Sequence, residues 1–484
     1  MYAMKYFVLA LIVALSAVSI SAQTPLSFDE AQRMMMERNG TIRAQHHASM
    51  AAHRERQAAI GLYFPRLALG GAYLHLDKDI RIDLNEGKAP LSQGAKSFIE
   101  AIAANEALAP LIPKIEGVAS SLLGLDWAYT LQRRNTAFIG GTLSLPIFTG
   151  GRIIAANRAA KANERLVAAT SAKERGELTT SLVERYFGLV VAQAVKGLRS
   201  ALVADVEEHL RNVQLLVENG VAVRADLLYV EYRLAEAKRE ALDAESAYRL
   251  AEQALNALIG MNGEAAVVPT SHPFVVGSIE SLDFFRSCAL RQNPSLEEVE
   301  QQRQLAVQNK NMRRAAFFPE IAAVASGRLW HHNLSSLVPQ WAVGVSLNFN
   351  IFNGLSREYE YSSARHTLRR VEALQRQGNR DVQLLVESLY EQLLNARRRI
   401  TSLLSSERFA EEYLRSKQVA FTEGVATSTE VLDATLSLYG VRLEKLSTAY
   451  NFDVSLAQLL ASAGLSDMFV AYMNHHTTVI FENR

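Results

Sequence analysis

The stretch Pro146-Ile147-Phe148-Thr149-Gly150 returns at an offset of 204 as Asn350-Ile351-Phe352-Asn353-Gly354, and the reading of the whole chain follows from that recurrence. The same offset carries Gly220-Val221-Ala222 onto Gly424-Val425-Ala426, Leu227-Leu228 onto Val431-Leu432, and Gly260 onto Gly464. One shift that fits landmarks this far apart marks an internal repeat. Upstream the offset is 254: Ser27-Phe28-Asp29, Asn39-Gly40 and Phe64-Pro65 recur as Ser281-Leu282-Asp283, Asn293-Pro294 and Phe318-Pro319. The difference of 50 between the offsets requires an insertion in the first copy, between Pro65 and Phe148. We therefore expect a first repeat over 23–270 with an insertion at about 78–133, a second over 271–470, and a C-terminal tail at 471–484.

Within each copy the hydrophobic period changes. Ile139, Gly141, Leu143, Leu145 and Ile147 alternate with Gly140, Thr142 and Ser144; in the second copy Val343, Val345, Leu347, Phe349 and Ile351 alternate with Gly344, Ser346, Asn348 and Asn350. Period two predicts strands. Weaker partner strands follow Phe64-Pro65 (Leu67, Leu69, Gly71, Tyr73) and Phe318-Pro319 (Ile321, Ala323, Ala325, Gly327, Leu329), which sets the second hairpin at 319–352. Four strands of about ten residues have the length of membrane-spanning barrel strands, and Trp127, Trp330 and Trp341 lie in or beside them, where an interfacial girdle would sit. A soluble hairpin with one buried face shows the same alternation.

The remainder reads as helix. No proline interrupts 152–219 or 356–423, two spans of equal length in which Ala, Leu, Glu, Arg and Gln dominate. A helix of that length is a rod of roughly 100 Å, which needs other long helices to pack against in the manner of a coiled coil. Glycine turns at Asn219-Gly220 and Glu423-Gly424 end the rods, return helices are expected over 225–259 and 429–463, and one shorter helix per copy over 27–61 and 281–315.

The ends and the composition bound the function. Lys5 ahead of the apolar run Tyr6 to Ile20, then Ser21-Ala22, is the plan of a signal peptide over 1–22, and the absence of cysteine at that junction excludes a lipidated N-terminus. No later stretch of about 18 uninterrupted apolar residues suggests a transmembrane helix. With 51 Lys+Arg against 50 Asp+Glu among 484 residues, and no basic run, nucleic acid is excluded as the expected partner. The lone Cys288 allows neither an intramolecular disulfide nor a cysteine-based zinc site. Nor is there a nucleophile elbow, phosphate loop or HExxH motif, so we expect no catalysis and no cofactor. The adjacent pairs His46-His47, His331-His332 and His475-His476 diverge on a helix or strand and are read as surface histidines rather than metal ligands.

Taken together, Phe64-Pro65 and Phe318-Pro319, Leu145-Pro146-Ile147-Phe148-Thr149-Gly150-Gly151-Arg152, and the turns Gly220 to Leu228 and Gly424 to Ala434 resemble the TolC-like outer membrane efflux family over nearly the whole mature chain. The resemblance implies an α+β membrane protein: a long coiled-coil-like α-helical barrel plus a transmembrane β-barrel shared by a homotrimer, with two structural repeats per chain. It implies an outer membrane location extending into the periplasm. It also implies work as the exit duct of a tripartite efflux system with a periplasmic adaptor protein and an inner-membrane transporter. A protein-secretion duct of the same fold is the alternative, and an exported coiled-coil scaffold without a pore is the rival of another class. One physical argument supports oligomers independently: four strands cannot close a barrel, and open edges cannot stand in lipid.

By the same resemblance, Glu430 and Asp433, three apart on one helix face, match an acidic pair that would form stacked carboxylate rings setting ion preference in the lumen. Acidic residues also favour a helix's first turn for its free N–H groups, and that reading stays open for Glu430. Copy one keeps Asp226 but has Tyr229 in place of Asp433. At the tip the family's latch positions hold Phe421, without a hydroxyl, and Ala426, so a tip gate here would use Phe421 with Arg224 and Asp226, and the reading of Arg224 as a solvated surface arginine stays open. The turns themselves, Gly220, Val221, Ala222 and Gly424, Val425, Ala426, are the expected adaptor-docking points. The insertion, with helical stretches at 97–109 and 115–123 interrupted by Pro110 and Pro113, falls on the extracellular side of the first hairpin.

Overall fold

A computed structural model describes residues 24–104, 109–261, 266–474 and 478–480. The expected signal peptide therefore lies outside the described residues, as does the His475-His476 pair of the tail. The chain divides into two units: a helical one (1–56, 158–308 and 365–484) and one built around a sheet (57–157 and 309–364).

In the sheet unit, strands β2 (Arg66–His75), β5 (Asn135–Phe148), β8 (Glu320–His332) and β9 (Trp341–Asn348) form one antiparallel sheet in the order β2-β5-β8-β9. The registers of the two repeats coincide. Arg66 faces Ser144 in the first hairpin, and Glu320 faces Asn348 in the second, which is the same pair carried forward by the two repeat offsets. Alternation then sorts the faces. One carries Leu67, Leu69, Tyr73, Leu143, Val343, Val345 and Leu347, all exposed; the other carries Ala68, Gly70, Ala72, Thr142, Ser144, Ser326 and Ser346. A contiguous exposed apolar face of this extent is the mark of a surface meant for lipid or another protein.

The insertion holds more structure than the sequence indicated. Besides helices α3 (Lys88–Ala103) and α4 (Ile112–Gly124) it contains a separate two-stranded sheet, β3 (Ile80–Asp83) with β4 (Ala128–Gln132). Pro113 falls in the first turn of α4, where a missing N–H costs nothing, so it starts that helix instead of interrupting it. Trp330 and Trp341 stand on β8 and β9, whereas Trp127 precedes β4, its backbone N–H bonded to Asn85 Oδ1 at 3.0 Å, away from the four-stranded sheet.

In the helical unit the expected single helix over 27–61 is two, α1 (Phe28–Arg38) and α2 (Gly40–Ile60), and its counterpart is α7 (Leu282–Gln292) and α8 (Pro294–Ala315). The break is an asparagine in both. Asn39 and Asn293 take extended backbone angles, and each spends its side chain on two partners. Asn39 Nδ2 donates to Leu258 O (3.0 Å) and its Oδ1 accepts from Thr41 N–H (2.8 Å); Asn293 Nδ2 donates to Ser462 O (2.7 Å) and its Oδ1 accepts from Leu296 N–H (3.0 Å). Each asparagine thus caps the next helix and ties the kink to the end of a return helix.

The long helices are α5 (Arg152–Glu218) and α9 (Ser356–Thr422), 67 residues each, and the return helices α6 (Arg224–Ile259) and α10 (Ser428–Ala463), 36 each. Their main core joins Phe28, Tyr186, Phe187, Phe274, Phe452 and Phe469, all essentially solvent-free. Helix α5 contains a window apolar enough by composition to cross a membrane, 28% of it buried, and the helix gives Leu182, Val183, Tyr186, Phe187 and Leu189 to this core. Small sheets that period reading missed brace it: β1 (Thr24–Leu26) runs parallel to β6 (Val267–Pro269), and β7 (Phe274–Val276) pairs with β10 (Thr478–Ile480) beyond the short α11 (Phe469–Met473). Tyr186 joins chain start and inter-repeat link, donating to Leu26 O (2.6 Å) and accepting from Thr270 and Ser271 N–H (3.1 and 3.0 Å). Burial pushes that phenol's pKa up.

Candidate functional site: the paired helical turns

The two turns are the same object made twice. In the first, Gly220 N–H donates to Val217 O (3.0 Å) and Val221 N–H to Leu216 O (2.8 Å); in the second, Gly424 N–H donates to Phe421 O (3.0 Å) and Val425 N–H to Ala420 O (2.8 Å). Both glycines have φ +73°. The pattern closes the last carbonyls of α5 and α9 with a left-handed residue, which is why glycine stands there. No atom lies within 4 Å of where a Cβ would sit on either, so only the dihedral demands it. Just past each glycine an apolar side chain points outward: Val221 is 74% and Val425 83% exposed.

The turns differ in how the return helix starts. Helix α10 opens with a capping box: Thr427 Oγ1 accepts from Glu430 N–H (3.3 Å), and Glu430 Oε2 accepts from Thr427 N–H (2.9 Å). Glu430 also accepts from Lys417 Nζ at 3.2 Å. The Thr427 backbone bond, and after it Lys417, holds that carboxyl below the usual carboxylate range. Helix α6 has Val223 in the cap position with no side-chain bond, and Asp226 in its first turn is half-buried. Within the chain, then, Glu430 performs the capping that its position allows, while Asp433 one turn on is exposed to solvent.

The remaining tip residues separate. Phe421 packs into a small second core with Leu202, Val206, Val213, Val230 and Leu432, its ring 5.6 Å from that of His209. Arg224 is exposed. Tyr229, in the place of Asp433, accepts from Arg233 Nε (3.1 Å) and Nη2 (3.0 Å) on its own helix.

Sequence reading passed over Asp205 and His209. His209 Nε2 lies 2.8 Å from Ser428 Oγ and 3.1 Å from Ser428 O, and Tyr439 donates to Asp205 Oδ2 at 2.8 Å, so α5 of the first repeat is stitched to the start of α10 of the second. Burial lowers the His209 pKa against a smaller opposing effect of the Ser428 carbonyl, and burial pushes Tyr439 up to about 12. Asp205 and His209 line a cavity of about 380 Å³ with Glu208, Gln418, Phe421 and Thr435. The signal available was a departure from the repeat: at the offset of 204, Asp205 and His209 become Phe409 and Tyr413, a stacked and exposed aromatic pair.

Comparison with known proteins matches the same architecture. The chain is 16% identical, with a TM-score of 0.71 and 90% of each chain covered, to a membrane protein of Pseudomonas aeruginosa. The outer membrane protein VceC of Vibrio cholerae is 14% identical, with a TM-score of 0.71 over 90% of this chain and 96% of that one. The MtrE outer membrane channel of Neisseria gonorrhoeae, in its open state, is 17% identical, with a TM-score of 0.68 over 91% and 89%. Among curated proteins the alkaline protease secretion protein AprF of Pseudomonas aeruginosa is 23% identical over 298 residues, 60% of this chain; the chain spans 62% of that relative's length. The family model for outer membrane efflux proteins matches residues 103–261 and 286–465, more than half of the chain. By that match the chain belongs to the outer membrane efflux protein family.

Proposed function

We propose that the protein is a passive exit duct in the outer membrane, three copies of which share one β-barrel, and that it joins a periplasmic adaptor protein and an inner-membrane transporter. The observation that carries this reading is the four-stranded sheet with one largely exposed apolar face and, among the described residues, an open outer edge on β2 and on β9. Such a sheet is incomplete in lipid until copies close it. The duct does no chemistry and takes no cofactor, and it does not bind nucleic acid; energy for transport comes from the partner. Detergent-extracted protein should have the mass of a trimer and conduct in planar bilayers, and a detergent-independent monomer without conductance would replace the duct by a scaffold.

The relation to a protease secretion protein favours a second reading at the level of cargo. An ATP-driven transporter and a secreted protein substrate would then stand where a proton-driven efflux pump stands in the first. Pull-down of the native partner distinguishes them.

Two site assignments follow. Glu430 and Asp433 from three copies would ring the lumen and favour cations. Glu430→Gln with Asp433→Asn should lower the cation-to-anion permeability ratio and relieve block by multivalent cations, with trimer mass unchanged; identical selectivity in single and double variants would sink the ring. The exposed valines of the turns are the docking points. Val221→Asp with Val425→Asp should weaken adaptor capture about tenfold or more, roughly 1.4 kcal/mol, and leave bilayer conductance intact. Undiminished capture would move the docking surface elsewhere.

A further inference from the structure

On the small polar face of the four-stranded sheet lies a hollow of about 600 Å³. Its floor crosses three strands: Gly70 of β2 faces Gly140 of β5, and Gly140 faces Arg328 of β8. A Cβ at Gly140 would stand 3.0 Å from Gly327 O, so close strand approach demands glycine there. At Gly70 nothing lies within 4 Å of the same position, and no neighbouring backbone accounts for the missing side chain. Glycine inside a strand weakens it, and one without a steric reason marks a place that something else approaches.

The turn between β8 and β9 walls this hollow, and it is tied down at both ends. Asn333 bends the chain at φ +55°, which asparagine tolerates. Its carbonyl accepts from Gln132 Nε2 (2.9 Å) and Thr136 Oγ1 (3.2 Å), and its Nδ2 donates to Asn135 O (3.2 Å). Ser335 N–H donates to Gln132 Oε1 at 3.1 Å. At the far end Arg328 N–H donates to Gln340 O (2.8 Å), and Arg328 Nη1 donates to Val338 O (3.2 Å). Leu334, Val338 and Pro339 thereby become lining residues, with half-buried Phe138 from β5. A recess of this size, mostly apolar and already formed, spares an incoming ligand the cost of ordering it.

Arg328 is the one charged residue of the lining; it is half-buried, and among the described residues it forms no ion pair. One guanidinium N–H is spent on the turn, and the rest of the fork stays free beside an apolar floor. An always-charged planar fork suits a carboxylate or sulfonate. We propose that the recess binds an amphipathic organic anion, its flat apolar body on the glycine floor against Phe138 and its acidic group on Arg328. The site is complete in one chain. That it opens to a lumen, where a solute anion reaches it, rests on the duct reading above. Small residues on this face also keep a lumen wide, as Ala68, Ser144 and Ser346 would. Width alone does not explain an arginine without a carboxylate under a turn pinned at both ends.

The test is calorimetric titration of the full chain in nanodiscs of zwitterionic lipid, with empty discs as the blank. The probes are naphthalenesulfonate and its neutral analogue naphthylmethanol. The sulfonate should bind tenfold or more tighter than the alcohol. Arg328→Gln should remove that difference, and Arg328→Lys, which keeps the charge and loses the fork, should fall between. Gly70→Val places a strand-favouring side chain in open space, so the sheet should tolerate it while both probes weaken tenfold or more. Equal affinity for the two probes, or sulfonate binding unchanged in Arg328→Gln and in Gly70→Val, overturns the site. Loss of sulfonate binding when anionic lipid replaces the zwitterionic lipid means that a headgroup fills the recess, and it overturns the solute anion as occupant. Light scattering of the extracted protein keeps the two readings apart. A trimer that binds no sulfonate removes the site and leaves the duct, whereas a monomer that binds it keeps the site and removes the duct.

Discussion

Gly464→Ala is expected to destabilise the protein clearly more than Gly424→Ala, although both glycines sit at φ +73°. The left-handed conformation costs a residue with a Cβ about 1–2 kcal/mol, and that part is common to the two variants. At Gly424 the added methyl enters open space. At Gly464, the end of α10, it would run into the backbone carbonyl of Gln292, the last residue of α7. A carbonyl that belongs to a helix end cannot rotate away, and Asn293 beside it is tied to Ser462 O. Relief must come from separating α7 and α10, which adds about 1–3 kcal/mol of overpacking strain. Thermal denaturation in detergent gives the comparison, and equal melting temperatures for the two variants would show that the close approach does not constrain the fold. Gly260 over Arg38 is the same contact in the first repeat, with the hypothetical Cβ 2.9 Å from a side-chain atom instead of a carbonyl, and a milder loss is expected there.

Asp453→Asn should change how stability depends on pH. The Asp453 side chain is fully buried on α10, accepts among the described residues only from Phe274 N–H at 3.3–3.4 Å, and has its pKa raised well above the ordinary value because burial disfavours the charged form. For a carboxyl raised in the folded state, the folded protein holds a proton that the unfolded chain releases above about pH 4. Stability is then greatest in acid with respect to this group and falls as pH rises, by about 1.4 kcal/mol per unit until the folded-state group itself ionises. Asparagine keeps the acceptor for Phe274 and cannot ionise. The variant should therefore be more stable than the parent at pH 7–8, nearly equal at pH 4, and flatter between. A variant less stable than the parent across that range would mean that Asp453 is held as a carboxylate by groups around it.

The fold was readable because its cues are local and appear twice. Alternation around Ile139–Ile147 and Val343–Ile351, two long proline-free spans, and glycines at matching offsets each require only neighbours along the chain. The kinks were less readable. Asn39 and Asn293 look like mid-helix residues of modest propensity until Leu258 O and Ser462 O arrive to accept from them, from 219 and 169 positions away along the chain. The three-residue strands escaped for a related reason, since no period can be counted over Thr24–Leu26 or Phe274–Val276.

The tip shows the same division at the scale of single side chains. That Glu430 and Asp433 share a helix face follows from their spacing, and so does the aptitude of Glu430 for a capping box with Thr427. Neither spacing nor composition could say that Phe421 packs against the small core that holds Val206 and Val213, or that His209 meets Ser428 across 219 positions. Periodicity, glycine placement and repetition therefore determined the elements, their order and their twofold duplication, because backbone sterics and amphipathic burial act over a few residues. Which polar groups are buried, which helix ends touch, and which strand edges are left open depend on atoms brought together from distant parts of the chain, and those were set only by folding.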